Sequence, residues 1–293
     1  MAASLRLISW PFDLGAAEVG VGAGARDLAR DDRLRARLEA QGWDVALDVV
    51  PGVDEREPET RRVFELNRRL AHRVRSAVEE GAFPLVLGGN CNSCLGTVSG
   101  VRPGRIGVVW FDAHADFDTT DDNLSGYFDV MALTILTGSA WRALRETIPG
   151  FEAVDERDVV LAAVRDLEPY QRDFLERSAV RTVPGAMDAR ELESALDDLR
   201  ARVDRVYLHL DLDALDSGEA RANQYAAPGG PSLDALLGAV DAVFARFTVV
   251  AAALTAYAPS FDSDGRAREA ARALLARVGQ LAHASRSASG SIG

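Results

Sequence analysis

The chain has 293 residues, 47% of them hydrophobic and 27% charged, a globular composition with enough apolar material for a large core. Acidic residues outnumber basic ones 45 to 33, for a formal charge of −12, and no basic stripe able to neutralise nucleic-acid phosphates is present. Lysine is absent, which excludes a Schiff-base lysine, a PLP anchor and a phosphate loop of the G-x-x-x-x-G-K-[ST] type.

Two cysteines, Cys91 and Cys94, do not make a disulfide scaffold. No run approaches the roughly 18 apolar residues of a membrane span. The start, MAASLRLISWPFDLG, reads as a strand rather than a signal peptide. The expectation is a cytoplasmic protein that takes a small-molecule substrate, with neither nucleic acid nor membrane as partner.

Short apolar runs are predicted as strands at Leu5–Trp10, Val45–Val50, Phe83–Leu87, Ile106–Phe111, Val159–Val164, Val180–Val183, Val206–Leu212 and Val249–Leu254. Several are continuously apolar and rich in Val, which suits strands buried on both faces. Helical patterns are read at Ala25–Ala40, Pro58–Glu80, Leu167–Arg177, Ala189–Val203, Leu233–Arg246 and Gly265–Ala284. This alternation predicts an α/β domain with a mostly parallel sheet and helices on both faces. No Pro-, Gly- or Ser-rich linker divides the chain, so residues 1–284 are read as one domain. The small polar tail at 285–293 is expected to be disordered. Active loops are expected at the carboxyl ends of the strands.

Three motifs carry chemistry. In VLGGNCNSCLG, a strand ends in Gly88-Gly89 and Cys91 opens a helix. The C-x-x-C spacing allows a redox reading, since a helix N-terminus lowers a thiol pKa. Cys94 reads as a core residue, and Cys91, nearer the strand end, is the better ligand candidate. In VVWFDAHADFD, a strand runs straight into Asp112, His114 and Asp116. Alternate residues of an extended segment point the same way, so one imidazole and two carboxylates converge. Such donors suit Mn²⁺, and also Zn²⁺ or Fe²⁺. In VYLHLDLDALD, His209, Asp211 and Asp213 share one strand face opposite Leu208, Leu210 and Leu212. A solvated edge strand alternates in the same way. Two D-x-D pairs in one α/β chain instead suggest two divalent ions, about 3.5–4 Å apart.

With these motifs in place, the sequence resembles the ureohydrolase family of arginase, agmatinase and their relatives. FDAHADFD matches the family's D-A-H-x-D, LHLDLDALD its second metal strand, AAVRDLEP its G-x-R-D-x-D-P and APGG the loop that follows. LGGNC stands where the family has G-G-D-H, and LSGYFDVMAL where it has S-G-x-x-H-G. The resemblance implies a three-layer α-β-α fold with about eight strands, a binuclear Mn²⁺ site and assembly as a trimer or hexamer. Asp112 and Asp211 would bridge the metals, His114 and Asp213 complete one ion, and Cys91 and Asp116 the other. A metal-bridging hydroxide would attack the planar carbon of a guanidinium or amidine. Asp116 would pass its proton to the leaving amine. Asp118, Ser125 and Glu168 lie where arginases hold the amino-acid end of the substrate, though each could equally cap a helix or shape a loop. His209 supports the metal strand, and His72 and His283 read as surface residues.

Three departures from the pattern matter. Cys91 replaces a His ligand, as in arginase-like hydrolases of N-hydroxyarginine, and a thiolate suits Mn²⁺ less well. Asp129 stands where the family has its proton-shuttling His; it either shuttles protons itself or caps a helix starting at Val130. Ala256 stands where a Glu grips the guanidinium, which makes free arginine a poor substrate. The leading expectation is a metal-dependent hydrolase of a linear amidine or modified guanidine, in specialised metabolism. The alternative is a lapsed ureohydrolase scaffold that binds or assembles.

Overall fold

The computed structural model describes residues 3–101 and 103–290. The strands are β1 (Ala3–Trp10), β2 (Phe12–Asp13), β3 (Ala16–Ala17), β4 (Trp43–Val49), β5 (Phe83–Gly88), β6 (Gly107–Phe111), β7 (Val159–Val164), β8 (Arg181–Pro184), β9 (Arg205–Asp211) and β10 (Thr248–Thr255). Eight of them form one sheet in the order β4-β1-β5-β10-β9-β6-β7-β8, while β2 and β3 make a short antiparallel ribbon. Every pair in the large sheet is parallel. β5, β6 and β7 are buried along their whole length, which is why they read as unbroken apolar runs.

The helices are α1 (Gly20–Ala29), α2 (Asp32–Ala40), α3 (Glu59–Glu79), α4 (Cys94–Gly100), α5 (Ala132–Leu136), α6 (Arg142–Arg145), α7 (Pro169–Arg177), α8 (Ala189–Arg200), α9 (Leu233–Arg246) and α10 (Arg266–Gly290). Side chains of α1, α2, α8, α9 and α10 build one core against the sheet. Those of α3, α4, α5 and α7 build the other. The three layers follow from strand alternation. In β9, Val206, Leu208 and Leu210 face the first core and Tyr207 the second.

Two expectations need correction. The predicted helix Ala25–Ala40 is two helices, because the Asp31 carboxylate accepts the N–H groups of Arg33 and Leu34 and starts α2 afresh. The polar tail read as disordered from 285 is helical as far as Gly290, and residues 291–293 lie outside the described residues. Ser285 and Ser287 return their hydroxyls to the carbonyls of Leu281 and His283, and Arg286 donates to the Gly81 carbonyl. His283 is correspondingly half-buried, with its ring edge-on to Trp43 at 5.0 Å. His72 is exposed, as expected. No helix among the described residues is long and apolar enough to cross a membrane.

Candidate metal centre

The carboxyl ends of β5, β10, β9 and β6, central neighbours in the sheet, deliver the three motifs to one place. After β5 the chain passes so close to β2 that a Cβ on Gly89 would lie 2.0 Å from the Phe12 carbonyl oxygen. Only glycine fits there. Cys91 follows in a single 3-10 turn that leads into α4. Beyond β6 come Asp112, His114 and Asp116, the last with a left-handed φ of 48°. Beyond β9, the Asp211 carboxylate accepts the Asp213 N–H at 2.8 Å and turns the chain.

These residues meet. Cys91, Asp112 and Asp116 each place a ligand atom within 4.8 Å of the others, as do Asp112, His114 and Asp213. Asp112 belongs to both groups. Asp211 joins them through its Oδ2, 2.9 Å from Cys91 Sγ. His114 Nδ1 lies 3.3 Å from Asp112 and 3.6 Å from Asp213. Asp112 also accepts the Trp110 indole N–H at 2.9 Å, and Asp213 the Asn223 amide at 3.0 Å.

Electrostatics tell what the cluster lacks. Burial, then neighbouring carboxylates, push Asp116 and Asp211 well above the usual carboxylate range, and Asp112 is raised chiefly by burial. Burial also raises the Cys91 thiol. Against its own burial, His114 is raised by Asp213 and Asp112, and Asp213 is held low by His114. So many buried acids with one imidazole among them cannot all ionise without added positive charge, and cations are the usual remedy. Carboxylate oxygens, one imidazole and one sulfur suit borderline divalent ions, so the donor set fits two of them, with Asp112 between.

Asp129 is buried, and its role differs from a cap at Val130. Its Oδ2 accepts the Cys91 N–H at 3.0 Å, and its Oδ1 accepts the N–H and side-chain amide of Asn92 at 2.8 and 2.9 Å. It caps the turn that carries Cys91. Burial raises its pKa to about 7. Asp118, Ser125 and Glu168 do not line the cleft above the cluster. Asp118 is buried and accepts from the Tyr170 hydroxyl and Gln171 amide, which fixes α7. Ser125 closes a loop with Asn123 and Tyr127, and the Glu168 N–H donates to Gln171 at the start of α7. Cys94 is fully buried in the core, as expected.

The cleft opens to solvent, has a volume of about 90 Å³ and is walled by Val21, Val130, Tyr127, Tyr225, Asn223 and Ala256 above the acids. Of these, sequence reasoning missed both tyrosines and Asn223. It also missed Arg165, whose guanidinium donates to the carbonyls of Ala163, Asp213, Ala214, Leu215, Ala227 and Pro228 and so ties the Asp213 turn to the next loop. The Arg165-Asp166 pair in AAVRDLEP was the available signal.

A three-layer α/β fold with a parallel sheet that collects buried acids, a histidine and a thiol at its carboxyl edge offers donor groups able to hold metal ions. A sequence model of the arginase family matches residues 3–279. Arginase of Bacillus caldovelox is 32% identical over 234 residues, 74% of this chain and 78% of that one. Arginase of Bacillus subtilis is 31% identical, over 75% and 78%. The solved structure of the Bacillus caldovelox arginase superposes with a TM-score of 0.84 at 28% identity, covering 96% of this chain and 98% of its own. The chain belongs to the arginase family.

Proposed function

We propose that the protein is a metal-dependent hydrolase that cleaves a C–N bond of a linear amidine or modified guanidine, such as N-hydroxyarginine, rather than of free arginine. The observation that carries this reading is the pair of donor groups sharing Asp112 at the sheet's carboxyl edge. Cys91, Asp112, Asp116 and Asp211 would hold one divalent ion, and Asp112, His114, Asp211 and Asp213 the other, with Mn²⁺ the expected metal. When bound, the ions supply a water acidified to near neutral pH and a polarised substrate.

The chain's own residues do the rest. Asp116 lines the cleft and keeps some exposure, so its carboxylate is placed to take a proton from water and return it to the leaving nitrogen. The apolar and aromatic walls lower the polarity around the acids and so strengthen each charge interaction beside them. Ala256 presents no carboxylate to a guanidinium, so a full cation loses a charge-assisted bidentate pair, of order 3 kcal/mol. A less basic group loses less, and that selects modified guanidines and amidines. We further propose a cytoplasmic homo-oligomer, a trimer or hexamer, which light scattering checks for size.

The test is Mn²⁺-dependent release of urea, hydroxyurea, formamide or ammonia from a panel of arginine, N-hydroxyarginine, agmatine and formimidoyl compounds. Turnover of a modified guanidine or amidine above arginine supports the reading. A metal-loaded protein inert to the whole panel overturns it. A second reading, a lapsed scaffold, is favoured by the two backbone bonds that occupy Asp129. Full metal content without turnover, together with tight binding of a ligand or partner, distinguishes it.

A further inference from the structure

Behind Cys91 lies a chain of buried hydrogen bonds that neither the metal reading nor the cleft explains. Tyr207 Oη is 2.8 Å from His209 Nδ1. His209 Nε2 is 3.2 Å from Thr255 Oγ1. Thr255 Oγ1 is 3.3 Å from Cys91 Sγ. Tyr207, His209 and Thr255 are wholly buried, and Cys91 is 2% exposed. Strand geometry builds the chain: Tyr207 and His209 are alternate residues of β9, and Thr255 ends the adjacent β10, in register with Asp211. The indole of Trp110 stacks on the imidazole at 3.5 Å and 12°, which holds the ring's plane.

The direction of these bonds can be deduced. Among the described residues, the Tyr207 hydroxyl has no partner other than His209 Nδ1. If Nδ1 carried a hydrogen, the tyrosine oxygen would accept it and its own O–H would be left unpaired in the core, an arrangement that buried donors avoid. The tyrosine therefore donates and Nδ1 accepts. No carboxylate hydrogen-bonds this imidazole among the described residues, and a neutral ring has one N–H, which must sit on Nε2. Thr255 Oγ1 accepts that hydrogen, which leaves its own O–H to point at Cys91 Sγ.

We propose that Tyr207, His209 and Thr255 form a one-way hydrogen-bond relay that delivers the Thr255 hydroxyl hydrogen to Cys91 Sγ, making Thr255 and His209 positioning residues for the sulfur. The proposal rests on Cys91 being a metal ligand. A ligating sulfur must be a thiolate, which only accepts. Its bond to Asp211 cannot persist as drawn once the S–H hydrogen is gone, whereas the Thr255 donor remains. A hydrogen bond withdraws charge from sulfur and makes it a weaker electron donor, as at other thiolate-ligated metals. The relay thus brings a soft ligand closer to the imidazole it replaces, which suits a hard ion such as Mn²⁺.

Two readouts test this on the full-length protein. The first is the nitrogen-15 signature of His209 in the metal-free chain, assigned with His209→Gln. The relay requires Nε2–H, and an Nδ1–H ring overturns it. In Tyr207→Phe the donor to Nδ1 is lost, and the ring should no longer hold a single tautomer; an unchanged signature counts against the relay. The second is the sulfur-to-metal charge-transfer band of the Co²⁺-loaded protein. Thr255→Val should move that band to longer wavelength, because a sulfur without its hydrogen bond gives up electrons more easily, and Thr255→Ser should restore it. A band that stays put in a folded, Co²⁺-loaded Thr255→Val overturns the proposal. Absence of any such band in the unaltered protein removes Cys91 as a ligand, and the relay's purpose with it, whether or not substrate is turned over.

Discussion

The Asp129 carboxylate receives the Cys91 backbone N–H at 3.0 Å, and this bond ties the position of a candidate proton carrier to that of a candidate ligand. Its other oxygen receives the Asn92 N–H. An asparagine at 129 can accept at one of these and must turn an NH₂ toward the other. Asp129→Asn is therefore expected to cost about 1–3 kcal/mol of stability, read by urea unfolding, because a buried N–H loses its acceptor. It should also leave about one ion per chain after Mn²⁺ loading, since the turn carrying Cys91 loosens. Were Asp129 only a proton carrier, metal content and stability would hold while kcat fell.

The same burial sets a pH dependence in the metal-free protein. Asp129, raised to about 7, and the raised Asp116 and Asp211 hold protons in the folded state that the unfolded chain gives up near pH 4. His114, also raised, keeps its proton above the usual imidazole range. All four are worth most below the unfolded pKa and lose their contribution as pH rises through the folded one. Stability without metal should thus fall from about pH 4 upward to beyond pH 7. Asp213, held low, acts with the opposite sign only in strong acid. Because ligands bind metal deprotonated, added Mn²⁺ should raise Tm more at pH 8 than at pH 5.5. Equal metal-induced shifts at the two pH values would contradict the assigned donor set.

The sheet was legible because β5, β6 and β7, with helices on both sides, read as unbroken apolar runs, and because the D-x-D pairs stand where such runs stop. The cluster was legible for the same reason: a charge directly after a buried strand is seldom idle. What escaped was anything fixed by hydrogen bonds across loops. Nothing local in LSGYFDV says that Asp129 caps the turn of Cys91, 38 residues earlier. Asp118, Ser125 and Glu168 stand at family-pattern positions, yet the Asp118 carboxylate is taken by Tyr170 and Gln171, the Ser125 hydroxyl by Asn123 and Tyr127, and the Glu168 N–H by Gln171. Apolar residues stand at helical spacing on both sides of Asp31, which hides the N-cap that splits α1 from α2.

Arg165 makes its bonds with five nitrogen-borne directions, and a lysine cannot reproduce that fork. Arg165→Lys is expected to destabilise the fold by about 2–3 kcal/mol, since carbonyls of Asp213, Leu215 and Ala227 lose charged donors. The loop that carries Asn223 and Tyr225 should loosen with it, raising KM more than it lowers kcat. Unfolding in urea and steady-state kinetics on the best panel substrate read the two effects. A stable variant with native KM would show that the clamp is incidental.

Ala256 offers the sharpest test of substrate choice. Its carbonyl accepts the Asn223 amide at 2.8 Å, and its φ of 61° is shared at the same cost by any residue with a Cβ. A glutamate there adds a carboxylate to a wall of the cleft without changing the backbone demand. It restores a bidentate acceptor for a guanidinium, of order 3 kcal/mol, so KM for arginine should fall about 100-fold in Ala256→Glu relative to the natural chain. The preference for a less basic substrate should narrow or reverse, because a charged partner now favours the cation. Metal content by elemental analysis must match that of the natural chain for the comparison to hold. If KM for arginine is unmoved at equal metal loading, the missing carboxylate is not what keeps arginine out.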